Sequence, residues 1–293
     1  MPRDTEADPP PPPTAAELAA VVDLLADAQP AVAAAARARV LHWGDQALPA
    51  VRVAAEAGAA RLRARCRSLL RSLEVRECLV RLSRLRLAGQ GAGSPTTLLA
   101  GVALLTRMVR TFVPMDRELG GALREHAHAV AARITGRSLP YAARALAERL
   151  CGEAGLRGGR SEAGPVEELA VDRVLATGVG APIALSLVYM LVARWAGLSA
   201  AGVAMPGHFL VRLHGRRPVL VDPCRGGRTI TKSDCMRHLR HVGRRPVAPL
   251  LRDLDDREVL RAYLDALRSA ACHRPIEHAA QSLEHAAALL APA

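Results

Sequence analysis

The sequence predicts a mostly helical α+β protein. Half of its 293 residues are hydrophobic but only 2% are aromatic, so Ala, Leu and Val must form the core, and this composition favours helices. One segment differs, because short apolar runs separated by turn residues between Ala200 and Asp222 predict strands. The hydrophobic fraction is high enough to offset the entropy of ordering, which excludes a disordered chain.

The N-terminal part of the chain is predicted to be helical after a short tail. Residues 1–13 end in a proline run that cannot enter a helix or sheet interior, so they predict a disordered Pro-rich tail. Thr14 and Glu17 have the spacing of a capping box, and Pro30 suits the first position of the next helix. Residues 14–88 then form two pairs of helices that resemble a HEAT repeat.

The rest of the chain is predicted to hold a mixed domain over residues 94–250 and a C-terminal helical hairpin over residues 251–293. The residues between His214 and Pro218 are typical of a hairpin turn, so the strands on either side should pair antiparallel. The predicted strands are Ala200–Met205, His208–Leu213 and Val219–Asp222. The predicted helices are residues 96–111, 116–134, 139–154, 233–241, 255–271 and 275–290.

The net charge of +12 does not by itself indicate a nucleic-acid interface. Lys232 is the single lysine, so the basic residues are almost all arginine, as coding bias in a GC-rich genome produces. They are scattered, and aromatic platforms on which bases could stack are few. We expect weak, non-specific attraction to nucleic acid, and a basic nucleic-acid-associated protein stays an alternative.

The chain opens without a basic-then-apolar signal, and its longest apolar stretch, Ala181–Val192, is too short to span a bilayer. The six cysteines are dispersed, with no CxxC pair, and predict reduced thiols. The sequence therefore predicts a cytoplasmic protein without a membrane partner.

The order of a helix, a strand, a strand opening with His and a strand ending in Asp-Pro resembles the transglutaminase-like superfamily, whose enzymes have a papain-like fold. Within it, three segments look like the SirB family. These segments are Gly180–Ser186, Pro206–Arg212 and Val221–Gly227. Residues 259–292 look like a shortened tetratricopeptide-type helical pair. The resemblance covers about residues 94–292 and is strongest over residues 171–227.

The resemblance implies a Cys-His-Asp triad in which a helix N-terminus lowers the pKa of the cysteine. His208 and Asp222 match the His and Asp, and we expect them within hydrogen-bonding distance of each other. The cysteine position falls at Pro182 or Ile183, neither of which can attack a substrate. The sequence therefore predicts a non-catalytic protein that acts in protein interaction or regulation through an unidentified protein partner. The predicted ligand groove consists of Gly180, Pro182, Gly207, His208 and Asp222.

Two other residues could restore a nucleophile. Ser186 lies one turn further into the helix, so a residual hydrolase or acyltransferase using Ser186, His208 and Asp222 stays an alternative. A serine in an apolar helix more often bonds back to a carbonyl. Cys224 stands where the family usually has an aromatic residue, and we predict that it acts as a small apolar side chain.

Cys235, His238 and His241 have a three-residue spacing on one predicted helix, and thiolate with imidazole suits zinc. No fourth ligand is evident nearby, and the flanking arginines would repel a cation. We interpret the segment as a solvated amphipathic helix. The sequence predicts no metal and no cofactor.

Overall fold

Helices make up most of the protein, and its strands lie between residues 157 and 230 of the part that is described. The computed structural model describes residues 13–87, 93–110, 116–159, 165–241, 251–273 and 279–291. The predicted tail, apart from its last position, lies outside the described residues. The chain divides into two compact units between Arg76 and Glu77. The mostly helical α+β fold class is confirmed, whereas the finer domain boundaries stay a prediction.

The first unit begins with the capping box that the sequence predicts. The Glu17 backbone N–H donates to the Thr14 hydroxyl oxygen (3.2 Å), and the Thr14 N–H donates to the Glu17 carboxylate (2.8 Å). Pro30 is the first residue of the second helix, as predicted. The first four helices are α1 (Ala15–Asp23), α2 (Pro30–Trp43), α3 (Leu48–Ala57) and α4 (Ala60–Ser83). Their small core includes Val22, Leu25, Val40, Val51 and Leu69.

The second unit is built around one helix that is buried along its length. This helix is α10, in which every residue from Ile183 to Arg194 is buried, and a helix that is apolar on all sides belongs in a core. The helices of the unit are α5 (Pro95–Val109), α6 (Asp116–Ile134), α7 (Leu139–Ala147), α8 (Val166–Leu169), α9 (Val171–Thr177), α10 (Pro182–Trp195), α11 (Lys232–His241), α12 (Asp256–His273) and α13 (Ala279–Leu289). A π-helical turn, Glu148–Glu153, extends α7.

The strands form one short parallel pair and one antiparallel sheet. The parallel pair is β1 (Arg157–Gly158) and β2 (Val179–Gly180). The sheet has the order β3-β4-β5-β6, and its strands are β3 (Ala200–Met205), β4 (His208–Leu213), β5 (Val219–Asp222) and β6 (Arg228–Ile230). The three predicted strands and the antiparallel hairpin are confirmed, while β6 was not predicted.

Buried polar contacts made by Ser186 and Arg194 fix α10 in place. The Ser186 hydroxyl donates to the carbonyl oxygen of Phe209 in β4 (2.8 Å). At the other end, Arg194 Nη1 lies 2.8 Å from Asp256 Oδ1 at the start of α12, and both side chains are buried. Arg194 also donates from Nε to the carbonyl of Ala200 in β3 (2.9 Å). The N-terminus of α10 is therefore held at a defined place beside β4.

The helices of the described residues are each too short or too polar to cross a bilayer.

Candidate functional site

The site is centred on a histidine–aspartate pair carried by neighbouring strands. His208 is the first residue of β4 and Asp222 is the last residue of β5. His208 Nε2 lies 2.9 Å from Asp222 Oδ2, and the side chains are 12% and 1% exposed. The predicted hydrogen bond between these residues is confirmed. Because a carboxylate only accepts hydrogen bonds, the neutral ring carries its proton on Nε2.

The Asp222 carboxylate is fixed by a second contact. Asp222 is the N-cap of a 3-10 turn, Pro223–Arg225, and its Oδ1 accepts from the backbone N–H of Arg225 (3.3 Å). The Arg225 Nε lies 3.9 Å from Asp222 Oδ2, on a side chain that is 54% exposed. One oxygen therefore holds the turn while the other orients the His208 ring.

Cys224, predicted to act as a small apolar side chain, lies beside this pair. Its Sγ, a ring nitrogen of His208 and a carboxylate oxygen of Asp222 all lie within 4.8 Å of one another. Burial, and then the charge of Asp222, raise the pKa of the Cys224 thiol to about 12. The thiol is therefore protonated at neutral pH when nothing is bound.

The register of the hairpin could have predicted that Cys224 lies beside His208. Val211 pairs with Val221 and Leu213 pairs with Val219. The same register continued past the end of β5 places position 224 opposite His208. The sequence therefore contains the information that places Cys224 near His208, but this information lies in the pairing of two strands rather than in local spacing.

A second thiol lies behind the turn. Cys151, in the π-helical turn, has its Sγ 2.9 Å from the Tyr189 hydroxyl oxygen and 3.9 Å from the Pro223 carbonyl oxygen. Burial raises the pKa of both the Cys151 thiol and the Tyr189 hydroxyl. These two groups are therefore uncharged packing partners of the turn.

The position that the resemblance assigns to a nucleophile holds none. Pro182 is the first residue of α10, a position that suits proline because no intrahelical N–H bond is lost there. Ile183 is apolar and 7% exposed. Ser186 is fully buried, and its hydroxyl proton is directed at the Phe209 carbonyl rather than at a base.

The two glycines of the predicted groove have structural roles. Gly180 is buried, and a Cβ there would lie 2.9 Å from a methyl carbon of Val174. Gly207 has a φ of 70°, in the turn between β3 and β4, where glycine avoids the strain of the left-handed region. That these residues bind a ligand stays a prediction.

The α11 residues do not form the metal site that their spacing allows. Cys235 is buried in an apolar cluster, while His241 is exposed. His238 Nε2 is 3.1 Å from the Pro206 carbonyl oxygen, to which it must donate. Its ring centroid lies 5.9 Å from that of His208. Within the described ranges, one group of three residues brings potential metal-ligating atoms together, and it consists of His208, Asp222 and Cys224.

A groove of about 560 Å³ lies elsewhere in the second unit. Its lining includes Pro140, Pro218, Lys232 and Arg212, but neither His208 nor Asp222. The Arg212 guanidinium is ion-paired with Asp253, so this groove does not present it as a free cation.

The fold agrees with a comparison to known protein families. A family model of the transglutaminase-like superfamily matches residues 117–265. Because this match covers half of the chain, the protein belongs to the transglutaminase-like superfamily. It is 35% identical over 106 residues to a UPF0162 protein of Xylella fastidiosa strain 9a5c, and equally to one of strain Temecula1 / ATCC 700964.

These two matches cover 34% of this chain and 38% of each relative, so the chain spans well under half the length of the curated relatives it matches. No solved structure matches the chain significantly.

Proposed function

We propose that this protein is a non-catalytic member of the transglutaminase-like superfamily, of the SirB type, that acts in the cytoplasm by binding a protein partner in a regulatory role. The observation that carries the proposal is Pro182 at the N-terminus of α10. That position should supply the thiolate of a Cys-His-Asp triad, since the helix dipole stabilises an anion there. Proline offers no nucleophile, so the His208–Asp222 pair has nothing to activate at that helix end.

The state of Ser186 supports the same proposal. A serine nucleophile needs a base within hydrogen-bonding reach and a substrate path to its oxygen. The Ser186 hydroxyl instead bonds to a backbone carbonyl in a position with no exposed area. In this proposal the hydrogen bond between His208 and Asp222 has a structural role, because it joins β4 to β5.

In this proposal, two helical segments of the chain provide the surfaces that bind the protein partner. We propose that residues 14–88 are HEAT-like and residues 251–293 tetratricopeptide-like, both of which are repeat types whose stacked helices present extended surfaces to partners. Helices of the first unit expose apolar side chains, among them Val53, which is 66% exposed.

An activity screen tests the loss of catalysis. The full chain and its His208→Ala variant are assayed against ester and amide probes, with Ser186→Ala as a second variant. We expect no turnover above background from any of the three. Turnover by the wild type that disappears with His208→Ala would overturn the proposal.

A partner is tested by reciprocal capture from the source cells. The full chain, crosslinked in cells, should recover one protein at a constant ratio, and that protein, when tagged, should recover this chain. The variant Val53→Asp, compared with Val53→Ala as a control that shortens the side chain without adding a charge, tests the first unit as the binding surface. Failure of reciprocal recovery would contradict the binding role.

A further inference from the structure

We propose that His208, Asp222 and Cys224 form a binding site for a divalent metal ion that prefers thiolate and imidazole ligands, and that Zn²⁺ fits it best. The proposal goes beyond the protein-binding role above and does not depend on it. The three residues offer one nitrogen, one oxygen and one sulfur, which are the ligand atoms that zinc binds in proteins.

The distances suit a tetrahedral site. The three ligand atoms lie within 4.8 Å of one another, and tetrahedral zinc holds its ligand atoms about 3.5 Å apart. His208 Nε2 and Asp222 Oδ2 are now 2.9 Å apart in a hydrogen bond. On metal binding their separation would increase by a few tenths of an ångström, while the Cys224 sulfur would move closer to both. Such shifts lie within the reach of side-chain rotation.

The charges also balance. An ionised Asp222 and a Cys224 thiolate together neutralise a divalent ion. On binding, the ring proton of His208 moves from Nε2 to Nδ1 and the thiol proton passes to solvent, so one proton is released per metal ion. A neighbouring cation, Arg225, has a half-exposed side chain that reaches Asp222 only at 3.9 Å and can turn towards water.

The ligands are carried by rigid elements, which lowers the cost of assembling the site. His208 and Asp222 belong to paired strands, and Cys224 lies in the turn that Asp222 caps. Gly227 follows this turn by two residues, and an added Cβ there would lie 2.3 Å from the Tyr189 hydroxyl and 2.7 Å from the Ala147 Cβ. Its backbone is therefore pressed against α10 and α7.

Three protein ligands are the set found in zinc sites that keep a fourth position for water or another ligand. His208 and Cys224 are each partly exposed rather than sealed in the core. The site therefore has a route for the ion to enter and a place for a fourth ligand from solvent.

The test uses the full chain, stripped of metal with a chelator and titrated with Zn²⁺ against a chromophoric competitor. We expect one equivalent per chain, release of one proton, and, with Co²⁺, the absorption bands of a cobalt–thiolate bond. Cys224→Ser should weaken binding at least tenfold and abolish the thiolate bands. The matched control Cys272→Ser removes an exposed thiol outside the cluster and should bind as the wild type does.

His208→Gln and Asp222→Asn should each weaken binding to a similar degree, and circular dichroism spectra identify variants that have lost the fold. Weaker than micromolar binding by the folded wild type, or equal binding by Cys224→Ser, would overturn the metal site and leave the protein-binding role untouched. Thiol-dependent turnover of an amide or ester that survives chelation would also overturn it, since Cys224 would then act as a nucleophile. Turnover that requires bound Zn²⁺ would support the site and refute the non-catalytic role.

Discussion

The buried ion pair between Arg194 and Asp256 should dominate the response of the second unit to mutation. The two side chains are 3% and 1% exposed, and Arg194 also donates to the carbonyls of Ala200 (2.9 Å) and Gly93 (3.3 Å). Replacement of Asp256 by leucine leaves the guanidinium charge buried without its partner. We expect Asp256→Leu to lower the free energy of unfolding by about 3–5 kcal/mol, the usual cost of an uncompensated buried charge.

The double variant separates the cost of an orphaned charge from the value of the pair. Arg194→Met with Asp256→Leu removes both charges and fills the space with apolar atoms. What remains is the cost of two carbonyls that lose a charged donor, about 1 kcal/mol each at the lower end of the usual range. The double variant should therefore be more stable than Asp256→Leu alone by about 2 kcal/mol.

Equilibrium unfolding in urea provides the assay. Trp195 follows Arg194 directly, and Trp43 is the other tryptophan of the sequence, so a Trp43→Phe background confines the fluorescence signal to the second unit. A loss below about 1 kcal/mol for Asp256→Leu would refute the reasoning, because the pair would then contribute no more than an exposed one. A double variant no more stable than the single one would refute it as well.

Three further predictions address local features. Gly227→Ala should lower the thermal midpoint strongly, because φ is +68° and the new Cβ would overlap the Tyr189 hydroxyl. The control Gly226→Ala shares the positive φ but meets nothing within 4 Å, so calorimetry should show only the left-handed backbone cost of about 1–2 kcal/mol; equal losses would refute the steric argument. Ser186→Ala should cost about 1–3 kcal/mol in urea unfolding, because it leaves a buried carbonyl of β4 without a donor, and a neutral result would contradict that bond. Thr14→Ala removes the capping box and should cost the first unit about 1 kcal/mol, as measured by the helical signal on heating, while an unchanged midpoint would show that the cap contributes nothing.

The fold could be predicted well where local chemistry marks both ends of an element. The strands β3 to β5 are bounded by a Pro-Gly pair and a hairpin turn, and their predicted limits are confirmed. The strand β6, Arg228–Ile230, was missed because two of its three residues are exposed and it has no apolar alternation. It forms because β5 offers an edge with which it can pair, which is a tertiary effect.

The site could be predicted only in part, for a related reason. His208 and Asp222 follow from the resemblance, and their contact is confirmed. Cys224 is separated from His208 by a hairpin and a turn, so its position depends on the register of two strands. Conversely, Cys235 and His238 share a helix but do not form a common site. The Cys235 thiol is buried in an apolar cluster, and the His238 ring is hydrogen-bonded to a backbone carbonyl.

The two hydrogen bonds of the Asp222 carboxylate affect which substitutions this protein can tolerate during evolution. One oxygen holds the Pro223–Arg225 turn and the other holds His208, so the hairpin needs this residue whether or not any reaction takes place. Folding alone can therefore keep a histidine and an aspartate in this arrangement, whether or not a nucleophile lies beside them. A pair that is kept for this reason holds the hairpin in place when a residue of the turn is substituted. A single substitution that introduces a thiol can then create a new chemistry beside the pair without a change of fold.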